Sequence, residues 1–262
     1  MQGNTTMACP ISGGWQGRLW LSPIEFAQGP GMRIAVVDDD ESVIEYASAA
    51  LAGAGHSCTG FRNGASLLAA LRRQTFDLIL LDWNLPDSSG IELLRSIRDA
   101  VSRATAIIML TSRSDKDDVA AALHAGADDY VVKPETGTVI VARVQAVLRR
   151  AMPAAAQDRV LRFGTYAFDR LTERVSIGDE EVALSAKEFQ LALVLFENMH
   201  RALSRSYLLE TIWQSAADLS TRTLDMHVSR IRTKLKLTPE NGYRIVAISG
   251  YGYRLERFGA EN

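Results

Sequence analysis

Cysteine is nearly missing from this chain. Cys9 and Cys58 are the only two in 262 residues and lack CxxC spacing, which excludes a disulfide framework and a zinc site. No uninterrupted apolar stretch is long enough to cross a bilayer, so no membrane association is expected. The first 31 residues lack the basic start and apolar core of a secretory signal. They are rich in Gly, Pro and Ser without periodicity and read as a disordered leader, with Met32 a candidate start directly before the first apolar run. Neither sign of charge dominates: 29 Lys and Arg stand against 31 Asp and Glu. Internal repeats and low-complexity runs are also missing. What remains, 47% hydrophobic and 23% charged, is the composition of a soluble globular protein, and its length suggests two domains.

The small net charge of −2 hides an uneven distribution. Residues 32–150 carry 13 basic and 16 acidic side chains, whereas residues 151–262 carry 15 and 14. Within that second half, residues 222–236 hold five basic side chains and only Asp225 of the other sign. A focused basic stretch is what contact with nucleic acid uses.

From Met32 onward strand and helix patterns alternate five times. Apolar runs at 33–37, 57–60, 77–81, 106–110 and 129–132 predict strands of a parallel sheet, because such strands are buried on both faces. Helical patterns at 42–54, 65–73, 90–100, 116–125 and 139–150 lie between and after them. The expected fold is a doubly wound α/β domain over 32–150. A linker follows at 151–158, where Pro153 blocks continuation of the helix. The next segment begins with short β-like runs near 160–163, 166–168, 174–177 and 181–184. Helical patterns at 186–199, 205–213 and 221–235 then precede a terminal hairpin. Three helices and a closing hairpin predict a winged helix-turn-helix domain over 159–257, with a tail at 258–262.

The carboxyl ends of the first domain's strands carry the chemistry. Asp38 and Asp39 follow the first strand, Asp82 the third, Thr111 the fourth and Lys133 the fifth. Ligands of open α/β sheets bind outside these ends, so distant segments deliver their groups to one rim. Magnesium favours hard oxygen ligands, typically one or two carboxylates with phosphate oxygens and water. Phosphoryl transfer needs in-line positioning and neutralised charge on the transferred oxygens. The carboxylates suit the metal, and Lys133 and Thr111 suit a phosphoryl group. Asp39 or Asp40 can instead cap the helix starting near Ser42. Asp82 can be an ordinary turn residue and Thr111 a strand-end cap, yet four matched strand ends are hard to obtain by accident.

The motifs VVDDD, LLDWNLPDSSG, MLTS and GADDYVVKP occur in that order, and with them residues 32–150 resemble the receiver domain of two-component response regulators. The resemblance implies a flavodoxin-like fold with a parallel five-stranded sheet. It implies that Asp82 accepts a phosphoryl group from a sensor histidine kinase. Asp38, Asp39 and Asp82 would hold Mg²⁺ with the backbone carbonyl of Asn84, Thr111 and Lys133 would contact the phosphoryl group, and Tyr130 would turn inward after phosphorylation. The family's dimer face maps to Val119, Asp128, Asp129, Val139, Arg143 and Arg150. Val119 and Val139 stand where a basic residue and Glu usually pair, so packing would replace an ion pair there. Glu135 also departs from the family's usual Phe.

In the second domain Leu224, Val228, Ile231 and Leu235 form one helical stripe. Arg222, Met226, Ser229, Arg230 and Thr233 point away from it, while His227, Arg232, Lys234 and Lys236 flank it. A helix docked in the major groove would read bases with the first set, led by Arg230, and hold phosphates with the second. The bland alternative is a solvated basic face. LSAKEFQLALVLFENMHRALSRSYLLETIW, STRTLDMHVSRIRTKLK and ISGYGYRL together resemble the OmpR/PhoB-type winged-helix domain. By that resemblance the 214–220 loop touches RNA polymerase, Arg205 helps position the DNA backbone, and the partners are promoter DNA and a second copy of the chain. Ser249 replaces the Arg often found before the wing glycine, leaving Arg244 and Arg254 to reach phosphates.

The expectation is therefore a DNA-binding transcriptional response regulator, not an enzyme in the turnover sense. Two rivals remain: a haloacid dehalogenase-type phosphohydrolase with its nucleophile in Asp38-Asp39-Asp40, and a DNA-binding protein whose receiver is a phosphorylation-independent scaffold.

Overall fold

The computed structural model describes residues 31–100, 105–151, 158–213 and 221–258. The expected leader and linker, the 214–220 loop and the tail lie wholly or mostly outside them. Five strands, β1 (Arg33–Val37), β2 (Ser57–Phe61), β3 (Leu78–Leu81), β4 (Ala106–Thr111) and β5 (Asp129–Val132), pair in parallel in the order β2-β1-β3-β4-β5. Helices cover both faces, so β1, β3 and β4 are buried throughout and show no polar alternation.

Successive side chains of a strand point to opposite faces, and this builds two cores. Ile34, Val36, Leu78 and Leu80 pack towards α1 (Glu41–Gly53) and α5 (Gly137–Ala151). Ala35, Val37, Ile79 and Leu81 pack towards α2 (Gly64–Leu71), α3 (Gly90–Ala100) and α4 (Lys116–His124). The topology turns back between β1 and β3, where such sheets open a ligand crevice at the strands' carboxyl ends. Asp40 caps α1 by accepting from the Ser42 amide at 2.9 Å. Capping in this Asp run therefore falls to Asp40, leaving Asp38 and Asp39 free of that duty.

The second domain starts with a four-stranded antiparallel sheet, β6 (Val160–Phe163), β7 (Tyr166–Asp169), β8 (Arg174–Ile177) and β9 (Glu180–Val182). Helices α6 (Ala186–Glu197), α7 (Arg205–Trp213) and α8 (Thr221–Lys234) follow. The hairpin of β11 (Tyr243–Ile248) and β12 (Gly252–Arg257) is joined by a two-residue strand, β10 (Leu203–Ser204). β10 is too short to show a period, and the sequence does not announce it. A Cβ on Gly252 would lie 2.0 Å from the Leu203 carbonyl oxygen, so only glycine lets β10 pair with β12. Leu224, Val228, Ile231 and Leu235 are each fully buried, as the helical stripe predicts. The flavodoxin-like first domain and the winged-helix second domain are both as expected.

An aromatic cluster closes this second core. Tyr166 lies 5.0 Å from Phe196 and 5.2 Å from Tyr243 between ring centroids, and its hydroxyl donates to the Leu235 carbonyl at 2.8 Å. Burial pushes the Tyr166 phenol up to about 12. The fold holds the neutral phenol, so this contribution is complete below about pH 10 and is lost as pH rises from there through about 12. Thermal denaturation across that window should show a shallower alkaline loss of stability for Tyr166→Phe than for the native chain. Equal slopes would contradict this account of the cluster.

Candidate functional site

Asp38 and Asp82 extend the carboxyl ends of adjacent strands β1 and β3 and are both buried. Their carboxylates converge on one cation. Lys133, just past β5, donates from Nζ to Asp82 Oδ1 at 2.9 Å and forms a short contact with Asp38 Oδ2. Asp38 Oδ1 also accepts from the Asp40 amide at 3.1 Å, and Asp82 Oδ2 accepts from the Asn84 amide at 2.8 Å. Burial pushes the Asp38 carboxyl above the ordinary range despite its bonds from Lys133 and Asp40. For Lys133, burial works downwards, but hydrogen bonds to Asp38 and Asp82 outweigh it and hold the ammonium above its ordinary value.

Asp39 is exposed, and among the described residues Arg62 engages its carbonyl at 3.5 Å. Among the described residues no three carboxylate, His or Cys side chains form a ready-made metal cage. Two buried carboxylates against one ammonium nevertheless leave an excess negative charge. That is a hard-oxygen donor set of the kind Mg²⁺ uses together with water and phosphate oxygens.

Three further side chains surround this pair. Thr111 is fully buried at the end of β4, and its Oγ1 accepts from the Arg113 amide at 3.4 Å. Tyr130 is already turned inward at 7% exposure, its hydroxyl donating to the Arg113 carbonyl at 2.7 Å. Arg113 in turn lies over the Trp83 ring, 5.0 Å from its centroid, and pairs with Asp118 at 3.3 Å. Trp83 and Arg113 were not singled out by the sequence, because a stack between two loops has no local pattern. The loop after Asp82 is pinned by Gly90, whose amide donates to the Trp83 carbonyl at 2.6 Å. A Cβ there would meet the Asp82 carbonyl oxygen at 2.2 Å. Glu135 has a local explanation: its carboxylate accepts from the Thr136 amide at 2.8 Å where the chain enters α5.

The residues assigned to a dimer face have partners within the chain. Asp129 pairs with Arg143 at 3.1 Å, and Asp128 accepts from Arg98 at 2.8 Å and from the Ile107 amide at 2.7 Å. Arg150 donates to the Ala146 carbonyl at 3.3 Å. Val119 packs partly buried against the α3 side of the sheet, and Val139 is half-buried on α5.

Helix α8 divides its basic residues into two groups. Met226, Ser229 and Arg230 are exposed, and Arg230 has no hydrogen bond or ion pair among the described residues. Arg222 and Thr233 are exposed as well, Thr233 donating to the Ser229 carbonyl at 3.3 Å. The flanking cations are committed internally. Arg232 donates to the Ile245 carbonyl at 2.7 Å and lies over the Tyr253 ring. Lys234 donates at 2.7 Å to Glu188, a buried carboxylate that also accepts from the Ser185 amide in the capping box of α6. Burial works against the Glu188 carboxylate, but Lys234 and Ser185 outweigh it and lower its pKa. His227 bonds the Thr223 carbonyl at 2.7 Å and packs edge-on to Trp213. Arg205 reaches Asp225 at 2.6 Å, and Glu256 takes both Arg244 and Arg254. The 214–220 loop lies outside the described residues.

Comparison with known proteins matches both halves. Residues 34–145 fit the response regulator receiver domain and residues 179–255 the transcriptional regulatory protein C-terminal domain. The chain is 36% identical over 226 residues to the sensory transduction protein RegX3 of Mycolicibacterium smegmatis, covering 85% of this chain and 98% of that protein. It is 35% identical over 225 residues to the phosphate regulon transcriptional regulatory protein PhoB of Pseudomonas aeruginosa, covering 86% and 97%. Among solved structures, the response regulator DrrB of Thermotoga maritima matches at 33% identity and a TM-score of 0.43, covering 87% of this chain and all of that one. Two domain matches in this order, and relatives aligned nearly end to end, place this chain in the OmpR/PhoB family of two-component response regulators, DNA-binding regulators of transcription.

Proposed function

We propose that Asp82 is the phosphoryl acceptor of this regulator, and that its phosphorylation by a sensor histidine kinase controls pairing on promoter DNA. The observation that carries this reading is the shared ammonium. Lys133 binds Asp82 and Asp38 together, so these carboxyl groups meet at one rim although their elements are far apart in sequence. In the transfer, an Asp82 carboxylate oxygen forms a bond to phosphorus as the phosphorus–nitrogen bond of a phosphohistidine breaks. Lys133 is placed to keep a positive charge beside the oxygens that arrive, and Thr111 supplies a hydroxyl at the same rim. Asp38, Asp82, the Asn84 carbonyl and the exposed carboxylate of Asp39 would hold Mg²⁺, and the bound ion would supply positive charge to offset that of the phosphoryl oxygens.

The domain limits that follow are 32–150 for the receiver and 159–257 for the winged helix, in a protein of the cytoplasm. No helix among the described residues is long and apolar enough to cross a membrane. The receiver alters its own acceptor residue and turns over no substrate. Dimerisation through the face around Val119, Asp129, Val139 and Arg143 would present two winged helices to tandem half-sites. Contact with RNA polymerase is assigned to the 214–220 loop. Base reading falls to the exposed Arg222, Met226, Ser229, Arg230 and Thr233, while Arg232 and Lys234 are held within the domain. Arg232, Lys234 and His227 then serve chiefly to fix α8 in place.

Treatment with a small phosphodonor and mapping of the acyl phosphate should label Asp82, and Asp82→Asn should abolish the label while the chain stays folded. A label on Asp38, or one retained by the variant, sinks the assignment. Arg230→Ala should cost about 1–3 kcal/mol on the preferred site and relax base preference at one position of each half-site. Selection of bound sequences from a random pool measures this, and an unchanged motif would remove Arg230 from base readout.

A further inference from the structure

The two domains meet at the amino ends of β1 and β3, the end of the sheet opposite the acidic rim. Asp77 anchors the contact from its buried place immediately before β3. Its Oδ1 accepts from the Tyr207 hydroxyl at 3.1 Å and from Arg201 at 3.3 Å. Arg201 also donates to the Phe76 carbonyl at 2.7 Å, and the Tyr251 hydroxyl donates to the Gln74 carbonyl at 3.2 Å. Beside these bonds the two surfaces leave a cleft of about 400 Å³. The end of α2 and the segment after it form one side. The loop between α6 and β10 and the hairpin of β11 and β12 form the other. A volume of this order is that of a small-molecule site.

The wall of the cleft carries charge of one sign. Arg72 comes from the receiver, and His200, Arg201 and Arg254 come from the winged-helix domain. Among the described residues no carboxylate lines the space. Two carboxylates stand behind the wall and offset it in part: Asp77 takes Arg201, and Glu256 takes Arg254 together with Arg244. Nothing offsets Arg72, which is exposed and has no hydrogen bond or ion pair among the described residues. The exposed His200 side chain is equally without a partner there. Its backbone sits at φ 64°, in the left-handed region that glycine enters freely and a residue with a side chain does not. No group among the described residues uses the imidazole, so its presence at a strained position points to a function outside the fold.

An apolar side complements the charge, because Leu71, Ala202 and Ile248 line the same cleft. Guanidinium groups meet phosphate oxygens with paired N–H donors, and apolar side chains suit an uncharged molecular body. We propose that this cleft binds a small organic polyphosphate of the nucleotide class. Its phosphates lie against Arg72, His200 and Arg254, and its nucleoside lies against Leu71, Ala202 and Ile248. A DNA duplex is too wide for a space of this volume, which sets the site apart from the exposed face of α8. Asp38 and Asp82 stand at the far end of the sheet, so the acidic rim takes no part. Because the cations come from both domains, one ligand molecule is held by the two together.

Calorimetric titration of the full chain with ADP, in EDTA so that the acidic rim holds no metal, tests the site. One ADP should bind per chain. Inorganic pyrophosphate should bind at least about tenfold more weakly, because it leaves the apolar side unfilled. Arg72→Ala and His200→Gly should each weaken ADP by about tenfold or more, the scale of one lost charged hydrogen bond. Arg72→Lys should recover the larger part of that loss. Neither Arg72→Ala nor His200→Gly should lower the melting temperature of the free chain, since Arg72 holds no partner and glycine suits the backbone at position 200. Absence of ADP binding, or native-like binding in either variant, overturns the proposal. Pyrophosphate bound as tightly as ADP overturns the nucleotide assignment by showing that phosphate alone suffices. A lowered melting temperature in either variant assigns that side chain to the fold and overturns its place in the site.

Discussion

The structure turns on one ammonium placed between two buried carboxylates. A lone carboxylate in a dry site loses its charge or its fold, since desolvating an ion costs several kcal/mol. Lys133 removes that difficulty for Asp38 and Asp82 together, and it does so from a third strand end. The price is an arrangement that satisfies charge only in part, two negative groups facing one positive. Such a rim is electrically prepared for a further cation, and a phosphoryl group arriving beside Lys133 would meet a donor already in place. Buried ion pairs add little net stability in general. The expense of holding these groups together is easier to understand as chemistry than as folding.

Elsewhere basic side chains serve architecture. Lys234 neutralises Glu188 beneath α8, Arg232 ties that helix to β11, and Arg205 joins α7 to α8 through Asp225. A helix that reads bases must be held at a fixed angle, and these internal bonds hold it. The exposed remainder, including Met226, Ser229 and Arg230, is narrower than the whole basic stretch. Focused charge in a sequence therefore overstates the number of groups available to DNA.

Much of this was legible in the amino-acid order. Continuous apolar runs ending in Asp, Thr or Lys disclose a parallel sheet and its polar rim together, because burial on both faces erases alternation and the strand ends must carry the polar groups. The stripe of Leu224, Val228, Ile231 and Leu235 fixes the inner face of α8 in the same way. Side-chain partnerships across distant segments stayed hidden. Nothing local marks Glu188 as the partner of Lys234, or Trp83 as the bed for Arg113. Asp77 reads as the first residue of a strand, yet its carboxylate spans two domains. Strand β10 was missed because two residues carry no period, and its existence depends on Gly252 lacking a side chain. Tyr130, expected to move inward on phosphorylation, is already inward here, since the Arg113 carbonyl accepts its hydroxyl.

The central claim is that Asp38 and Asp82 form one site for a divalent cation. Calorimetric titration of the full chain with MgCl₂ tests it most directly, comparing the native protein with Asp38→Asn and Asp82→Asn. The account predicts a single Mg²⁺ bound by the native chain and loss of that binding in each variant. Native-like Mg²⁺ affinity in either variant would show that the two carboxylates do not act together.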